Sequence, residues 1–343
     1  MKISDIQYCP CTLQPGYHTY SPTGRMLLFG SRTKAVSAML SFGPPGKSAA
    51  LTREYNEKRK GMSISGYQEK YSFRLEKKEL ILVENKGSYI LKPVPTERLE
   101  RVEDMPANEH LTMQIARQIF NIKTAAAAMI FFNDGSPAYI TRRFDYKPDG
   151  SKYQVEDFAT LLGKTSEAEG DDYKYNASYL DMAHLIQQYV PAAKVELLNF
   201  FKLVVFNYLF ANGDAHLKNF SLMESRQGDY LLSPAYDLMC TALHLNDADI
   251  CMRDGLFEGD YKEPYFEKYG IHTRESFISF AAKIDIRIKL AEDILDEMTD
   301  KEDVVKEMVN RSFLSKNSKS IYYHIFEDRQ KRLNKNYKAK TKR

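Results

Sequence analysis

The chain has 343 residues, of which 49 are lysine or arginine and 46 aspartate or glutamate, giving a formal net charge of +3. That length predicts two domains, each able to bury a core, and so even a charge balance excludes a nucleic-acid footprint spread over the whole surface. Met1 to Asp5 carries no signal segment and no stretch approaches the roughly 18 apolar residues of a membrane helix, so the expectation is a cytoplasmic protein with no membrane association.

From Met1 to about Lys60 the chain reads as irregular, punctuated by Pro15-Gly16, Pro22-Thr23-Gly24 and Gly43-Pro44-Pro45-Gly46. Cys9-Pro10-Cys11 with His18 offers half of a zinc site, but no second pair lies nearby, and four scattered cysteines read as reduced, partly buried thiols. Gly46-Lys47-Ser48 invites a P-loop reading that fails. Ser41 stands where the first glycine belongs, and Pro44 and Pro45 remove backbone donors.

Three β-rich runs follow, Lys70 to Leu75, Glu79 to Val83 and Gly87 to Lys92, spaced as an antiparallel meander. A helix is predicted from Pro106, with Leu111, Ile115, Ile119 and Ile122 at helical spacing. Strands return at Ala127 to Phe132 and Ala138 to Arg143 around the turn Asn133-Asp134-Gly135-Ser136. Beyond Phe144 the apolar period lengthens to three and four. Ser178 and Asp181 form a capping pair for one helix, and Pro191-Ala192-Ala193 opens a long one reaching Asn212. Further helices are expected at Arg274 to Lys289, Ala291 to Thr299, Lys301 to Phe313 and Ser320 to Leu333. Residues 331–343 form a basic run without apolar periodicity, read as a solvated tail or a contact for DNA or an acidic surface.

The long helix delivers Asn212-Gly213-Asp214-Ala215-His216-Leu217-Lys218-Asn219-Phe220, and Pro234-Ala235-Tyr236-Asp237-Leu238 follows. An aspartate, an asparagine five positions on and a second aspartate meet the demands of phosphoryl transfer: Asp214 can take a hydroxyl proton, while Asn219 and Asp237 can hold Mg2+. A helix-ending turn and a helix cap would use the same residues. The other parts have candidates in order. Gly61 to Lys70 offers glycines and serines for a phosphate cradle, Lys92 ends a strand, Glu109 on the next helix can pair with it, and Arg142-Arg143-Phe144-Asp145 occupies the place of a hinge.

Lys60-Gly61-Met62-Ser63-Ile64-Ser65-Gly66-Tyr67-Gln68, Asn108-Glu109-His110, Asp214 to Phe220 and Ala235-Tyr236-Asp237 resemble, in order, the motif blocks of the HipA-type serine/threonine kinases of bacterial toxin-antitoxin systems, particularly the short HipT form. The resemblance implies an α+β, two-lobed protein-kinase-like fold, with a β-rich N-terminal lobe at 1–143, an all-helical C-terminal lobe at 144–330 and a basic tail at 331–343. It assigns Asp214 as catalytic base, Asn219 and Asp237 as metal ligands and Lys92 as the ATP lysine oriented by Glu109. Ser65, Gly66, Tyr67, Gln68, Glu69, Lys70, Arg142, Arg143, Phe144, His216, Leu217, Lys218, Asn219 and Tyr236 would line ATP.

The same resemblance implies autophosphorylation at Ser63 or Ser65, where a phosphate adds a charge of about −1.5 to −2 beside the nucleotide phosphates. It further implies an aminoacyl-tRNA synthetase or another translation protein as target, a HipB-type helix-turn-helix antitoxin, and DNA contact only through that partner. Longer HipA proteins carry an extra N-terminal subdomain, so a separately encoded small protein is expected to supply it. Two other functions share these residues: a catalytically weak nucleotide-binding corepressor, and a small-molecule kinase.

Overall fold

The computed structural model describes residues 5–46, 69–96, 99–147 and 149–335. The chain divides into two units. The first holds the residues through Ile115, Ala125–Tyr146 and Lys306–Ser320; the second holds Ala116–Thr124, Lys147–Val305 and the residues from Ile321 onward.

The first unit is built on a five-stranded antiparallel sheet of β1 (Tyr71–Glu76), β2 (Glu79–Leu82), β3 (Tyr89–Pro93), β4 (Ala127–Phe131) and β5 (Pro137–Arg142), in the order β2-β1-β3-β5-β4. Short connections pair β1 with β2 and β4 with β5, while β3 crosses to β5 with Lys92 opposite Tyr139. Every residue of β4 is buried, so the strand lies covered on both faces and reads as one apolar run. Cys9 and Cys11 sit in this core with Tyr20, Phe73 and Ile140, and Cys11 Sγ donates to the Ala127 carbonyl at 3.4 Å. The thiols therefore pack as small apolar groups.

One segment read as irregular is a helix. Pro22–Phe29 (α1) starts from Ser21, whose hydroxyl accepts from Gly24 N, and stops at Gly30 with φ 70°. Proline in the first helical turn has no intrahelical bond to lose, which is why a turn signal marks a helix start here. Helix α2 (Met105–Gln118) follows β3. Residues 306–320 complete the unit: the Phe313 ring packs 5.8 Å from Phe131, and Asp104 takes hydrogen bonds from Ser315 N, Ser315 Oγ and Ser318 Oγ at 2.6–2.8 Å.

The second unit contains helices α3 (Phe158–Leu161), α4 (Ser166–Glu169), α5 (Tyr179–Tyr189), α6 (Ala193–Leu209), α7 (Pro264–Tyr269), α8 (Arg274–Lys283) and α9 (Ile288–Thr299); α10 (Glu302–Arg311) and α11 (Lys316–Leu333) run across the division. Ser178 and Asp181 form a reciprocal capping box at the head of α5, an arrangement that adds about 1 kcal/mol. The pattern expected as one helix over Arg274 to Lys289 is interrupted. Asp285 takes φ 59°, a conformation no helix continues through, and α9 starts afresh at Ile288. No helix among the described residues is long and apolar enough to cross a membrane.

Helix periodicity also concealed a small antiparallel sheet in this half, β6 (Val155–Asp157), β7 (Ser221–Glu224) and β8 (Tyr230–Leu232), ordered β6-β7-β8. Each strand has only three or four residues, too few for alternation to show. The β7–β8 pair matters most, because Leu222 opposite Leu232 brings the chain before Ser221 next to the chain after Leu232.

Candidate active site

In the first unit, β3 carries Lys92 and α2 carries Glu109. Their side chains meet at 2.6 Å with 5% and 2% of their area exposed. An ammonium so enclosed is stable only against a carboxylate, and the Tyr139 ring face, 5.3 Å from Nζ, adds a second attraction. Nearby, Glu69 accepts from the Tyr71 hydroxyl at 2.7 Å. Arg142 closes β5, and Arg143 is held by Asp145 through Nε at 2.9 Å and Nη2 at 2.5 Å, a bidentate pair. Ser63, Ser65, Gly66, Tyr67 and Gln68 lie outside the described residues.

In the second unit, the chain leaves α6 through Ala211 at φ 47°, a left-handed conformation that costs a residue with a Cβ about 1–3 kcal/mol. A relay of amides holds the loop that follows. Asn207 Nδ2 donates to the Leu203 carbonyl at 3.1 Å, Asn212 Nδ2 to Asn207 Oδ1 at 2.8 Å, and Asp214 N to Asn212 Oδ1 at 3.3 Å. Thr241 adds a cross-tie, accepting from Gly213 N at 2.7 Å and donating to the Ala211 carbonyl at 3.1 Å. The Tyr179 hydroxyl donates to the Ala215 carbonyl at 2.9 Å. Six hydrogen bonds thus fix one short loop.

Asp214 keeps 48% of its side chain exposed. Its Oδ1 accepts from the Tyr175 hydroxyl at 2.6 Å, and His216 Nε2 stands 3.6 Å from the same oxygen. Burial pulls the His216 pKa down to about 4 against the opposing fields of Asp214 and Asp237, so the ring is neutral at pH 7. Leu217 is fully buried. Lys218 pairs with Asp157 at 3.3 Å. Asn219 Nδ2 donates to the Asp214 carbonyl at 2.7 Å.

Tyr236 joins the second segment to this loop. Its hydroxyl donates to the Lys218 carbonyl at 2.9 Å and lies 2.6 Å from Ser221 Oγ, so Ser221 is the donor in that second bond. Ala235 N donates to Lys123 O at 2.8 Å. Asp237 follows at φ 55°, the second left-handed residue of the site. The β7–β8 pairing and the Tyr236 hydroxyl together bind the segment bearing Asp237 to the segment bearing Asn219. Hard oxygens from one carboxylate and one amide are what Mg2+ accepts when phosphates and water supply its remaining ligands, so the donor set fits that ion.

Sequence reading missed Tyr175, Thr241, Asp157 and Asp247. Asp247 packs its carboxyl against Gly213, where a Cβ would collide with it, and burial raises its pKa ahead of the field of Asp214. None of the four belongs to a motif. Tyr175 lies 39 residues from Asp214, and its short turn Asp171–Tyr175 has no periodicity to notice.

A family model described as the HipA-like C-terminal domain matches residues 62–306. A protein of Haemophilus influenzae named as a kinase is 25% identical over 276 residues, covering 75% of this chain and 78% of that one. The kinase-named Y4dM of Sinorhizobium fredii is 29% identical over 201 residues; the match takes in 54% of this chain and 47% of that protein, about half its length. Among solved structures, the Shewanella oneidensis complex of HipA, HipB and operator DNA contains a chain that superposes with a TM-score of 0.62 at 18% identity, covering 79% of this chain and 65% of that one. The Helicobacter pylori proinflammatory kinase CtkA superposes with a TM-score of 0.51 at 16% identity, over 80% and 92%. These two likenesses concern the fold.

Proposed function

We propose, from the premise that this chain belongs to the HipA-like C-terminal domain family, that it is an ATP-dependent protein serine/threonine kinase and the toxin of a HipA-type pair. The observation that carries the reading is the Tyr236 hydroxyl bound to the Lys218 carbonyl and to Ser221, which ties a carboxylate segment to a loop already holding an aspartate and an asparagine. In this reading Asp214 accepts the proton of a serine or threonine hydroxyl as its oxygen bonds to the γ-phosphorus and the bond to ADP breaks. Asn219 and Asp237 would hold Mg2+, which neutralises phosphate charge when bound. Lys92, oriented by Glu109, contacts nucleotide phosphates. His216, neutral and buried, is suited to pack against a ligand rather than to carry charge.

Support for a HipB-type antitoxin comes from the Shewanella complex, which contains HipB and operator DNA. An aminoacyl-tRNA synthetase as target and a phosphate-loop serine, Ser63 or Ser65, as autophosphorylation site follow from the resemblance of Lys60 to Gln68 to HipT. The test is incubation of the protein with γ-labelled ATP and host lysate, beside Asp214→Asn and Asp237→Asn variants. Label on a discrete protein, lost by a factor of about 100 or more in both variants, is the expected result. Equal labelling by wild type and variants would refute it.

A further inference from the structure

We propose that Tyr175 is a positioning residue of this site: its hydroxyl occupies Asp214 Oδ1 and so commits Oδ2 to the acceptor hydroxyl. The inference rests on the reading of Asp214 as the base and deepens it by saying which carboxylate oxygen works.

Tyr175 is held by its backbone before its ring is considered. Its carbonyl accepts from Arg253 N at 2.8 Å and from Ala177 N at 3.0 Å. The ring then stands edge-on to the His216 ring, with centroids 5.2 Å apart and planes at 75°, and the hydroxyl reaches Asp214 Oδ1 at 2.6 Å. His216 Nε2, at 3.6 Å from that oxygen, is beyond hydrogen-bond reach. Both protein groups therefore stand on the Oδ1 side of the carboxylate. The Asp214 backbone is held at its amide by Asn212 and at its carbonyl by Asn219, so the Tyr175 bond acts on the side-chain torsions that those contacts leave open.

A carboxylate offers about four lone-pair directions over two oxygens, and a donor on one oxygen leaves the other to accept. A hydroxyl sitting on the base could instead be a plug filling the acceptor's place. The 48% exposure of the Asp214 side chain argues for positioning, because a plugged base would be covered. The short charge-assisted bond also restrains the carboxylate, and misplacement of a reacting group by about 1 Å lowers a rate about 100-fold.

The test compares wild type, Tyr175→Phe and the protein with para-aminophenylalanine at position 175. Each is given γ-labelled ATP, and label is followed into the protein itself and into arrayed serine peptides at a temperature where all three are folded. Phenylalanine keeps the ring and deletes one donor. The expected outcome is a fall in kcat of roughly 10- to 100-fold with KM for ATP unchanged, and recovery with para-aminophenylalanine, which restores a donor at the end of the same ring. A kcat that is unchanged or raised in Tyr175→Phe overturns the proposal, and so does a loss that the amino analogue leaves in place. Wild type that transfers no label to any acceptor refutes the kinase reading itself, and this proposal falls with it.

Discussion

The buried pair of Lys92 and Glu109 permits a test in which structural and chemical roles separate. Glu109→Ala leaves an ammonium with 5% of its side chain exposed and its carboxylate gone from 2.6 Å away. Breaking an enclosed pair in this way costs about 3–5 kcal/mol. For a domain of this size each kcal/mol moves the melting temperature by about 2–4 °C, so the transition of the first unit should fall by roughly 10 °C. Lys92→Met combined with Glu109→Leu removes both charges and fills the space. That double variant should melt near wild type or above it, since apolar replacement of a buried pair is neutral or stabilising by about 1–4 kcal/mol. Thermal unfolding of the four proteins closes a double-mutant cycle. Additive losses, with the double variant melting lowest, would show that the two charges do not depend on one another and refute the reasoning. Label transfer on the same four samples completes the experiment: if Lys92 contacts the nucleotide phosphates as proposed, the double variant should be folded and inactive.

Three other outcomes follow from the packing. Gly213→Ala drives a Cβ into the Asp247 carboxyl, so the loop must move, and label transfer should fall about 100-fold; full activity would show that Asp247 yields instead. Thr241→Val leaves Gly213 N without its acceptor, a loss of about 1–3 kcal/mol that a shift in the urea midpoint at constant slope would register. His110, whose Nε2 lies 3.2 Å from the Cys11 carbonyl, has its pKa pulled by burial from 6.5 to about 4. The unfolded chain therefore binds a proton that the folded one refuses. Its stabilising contribution is full above pH 6.5 and declines as pH falls toward 4, by about 2 kcal/mol between pH 7 and 5. His110→Gln should flatten that acid limb in melting curves, and an unaltered limb would assign it to other groups.

Much of this architecture was legible because the residues concerned obey a local rule. The meander of β1 to β3, the capping box at Ser178 and the long helix before Asn212 each follow from a period or a cap that neighbouring residues display. Asp214, Asn219 and Asp237 were singled out by spacing, and the Lys92–Glu109 pair, which the structure closes at 2.6 Å, by the places of the two residues on consecutive elements. What escaped depends on contacts distant in sequence. The Tyr175 hydroxyl on Asp214 and the Thr241 hydroxyl on Gly213 span 39 and 28 residues, and neither residue type announces its partner. Strands β6 to β8 were too short to alternate. Pro22 misled because one residue serves both turns and helix starts, and the hydroxyl of Ser21 on Gly24 N decides between them.

The membership of residues 306–320 in the first unit bears on how the protein is made. Phe313 against Phe131 and His110, and the serine hydroxyls on Asp104, are supplied by chain that leaves the ribosome about 170 residues after β5 is complete. A nascent chain carrying Lys92 and Glu109 must wait, its sheet unit short of these contacts, until residues 306–320 have emerged. A protein put together in that order keeps its sheet unit unfinished through most of its own translation.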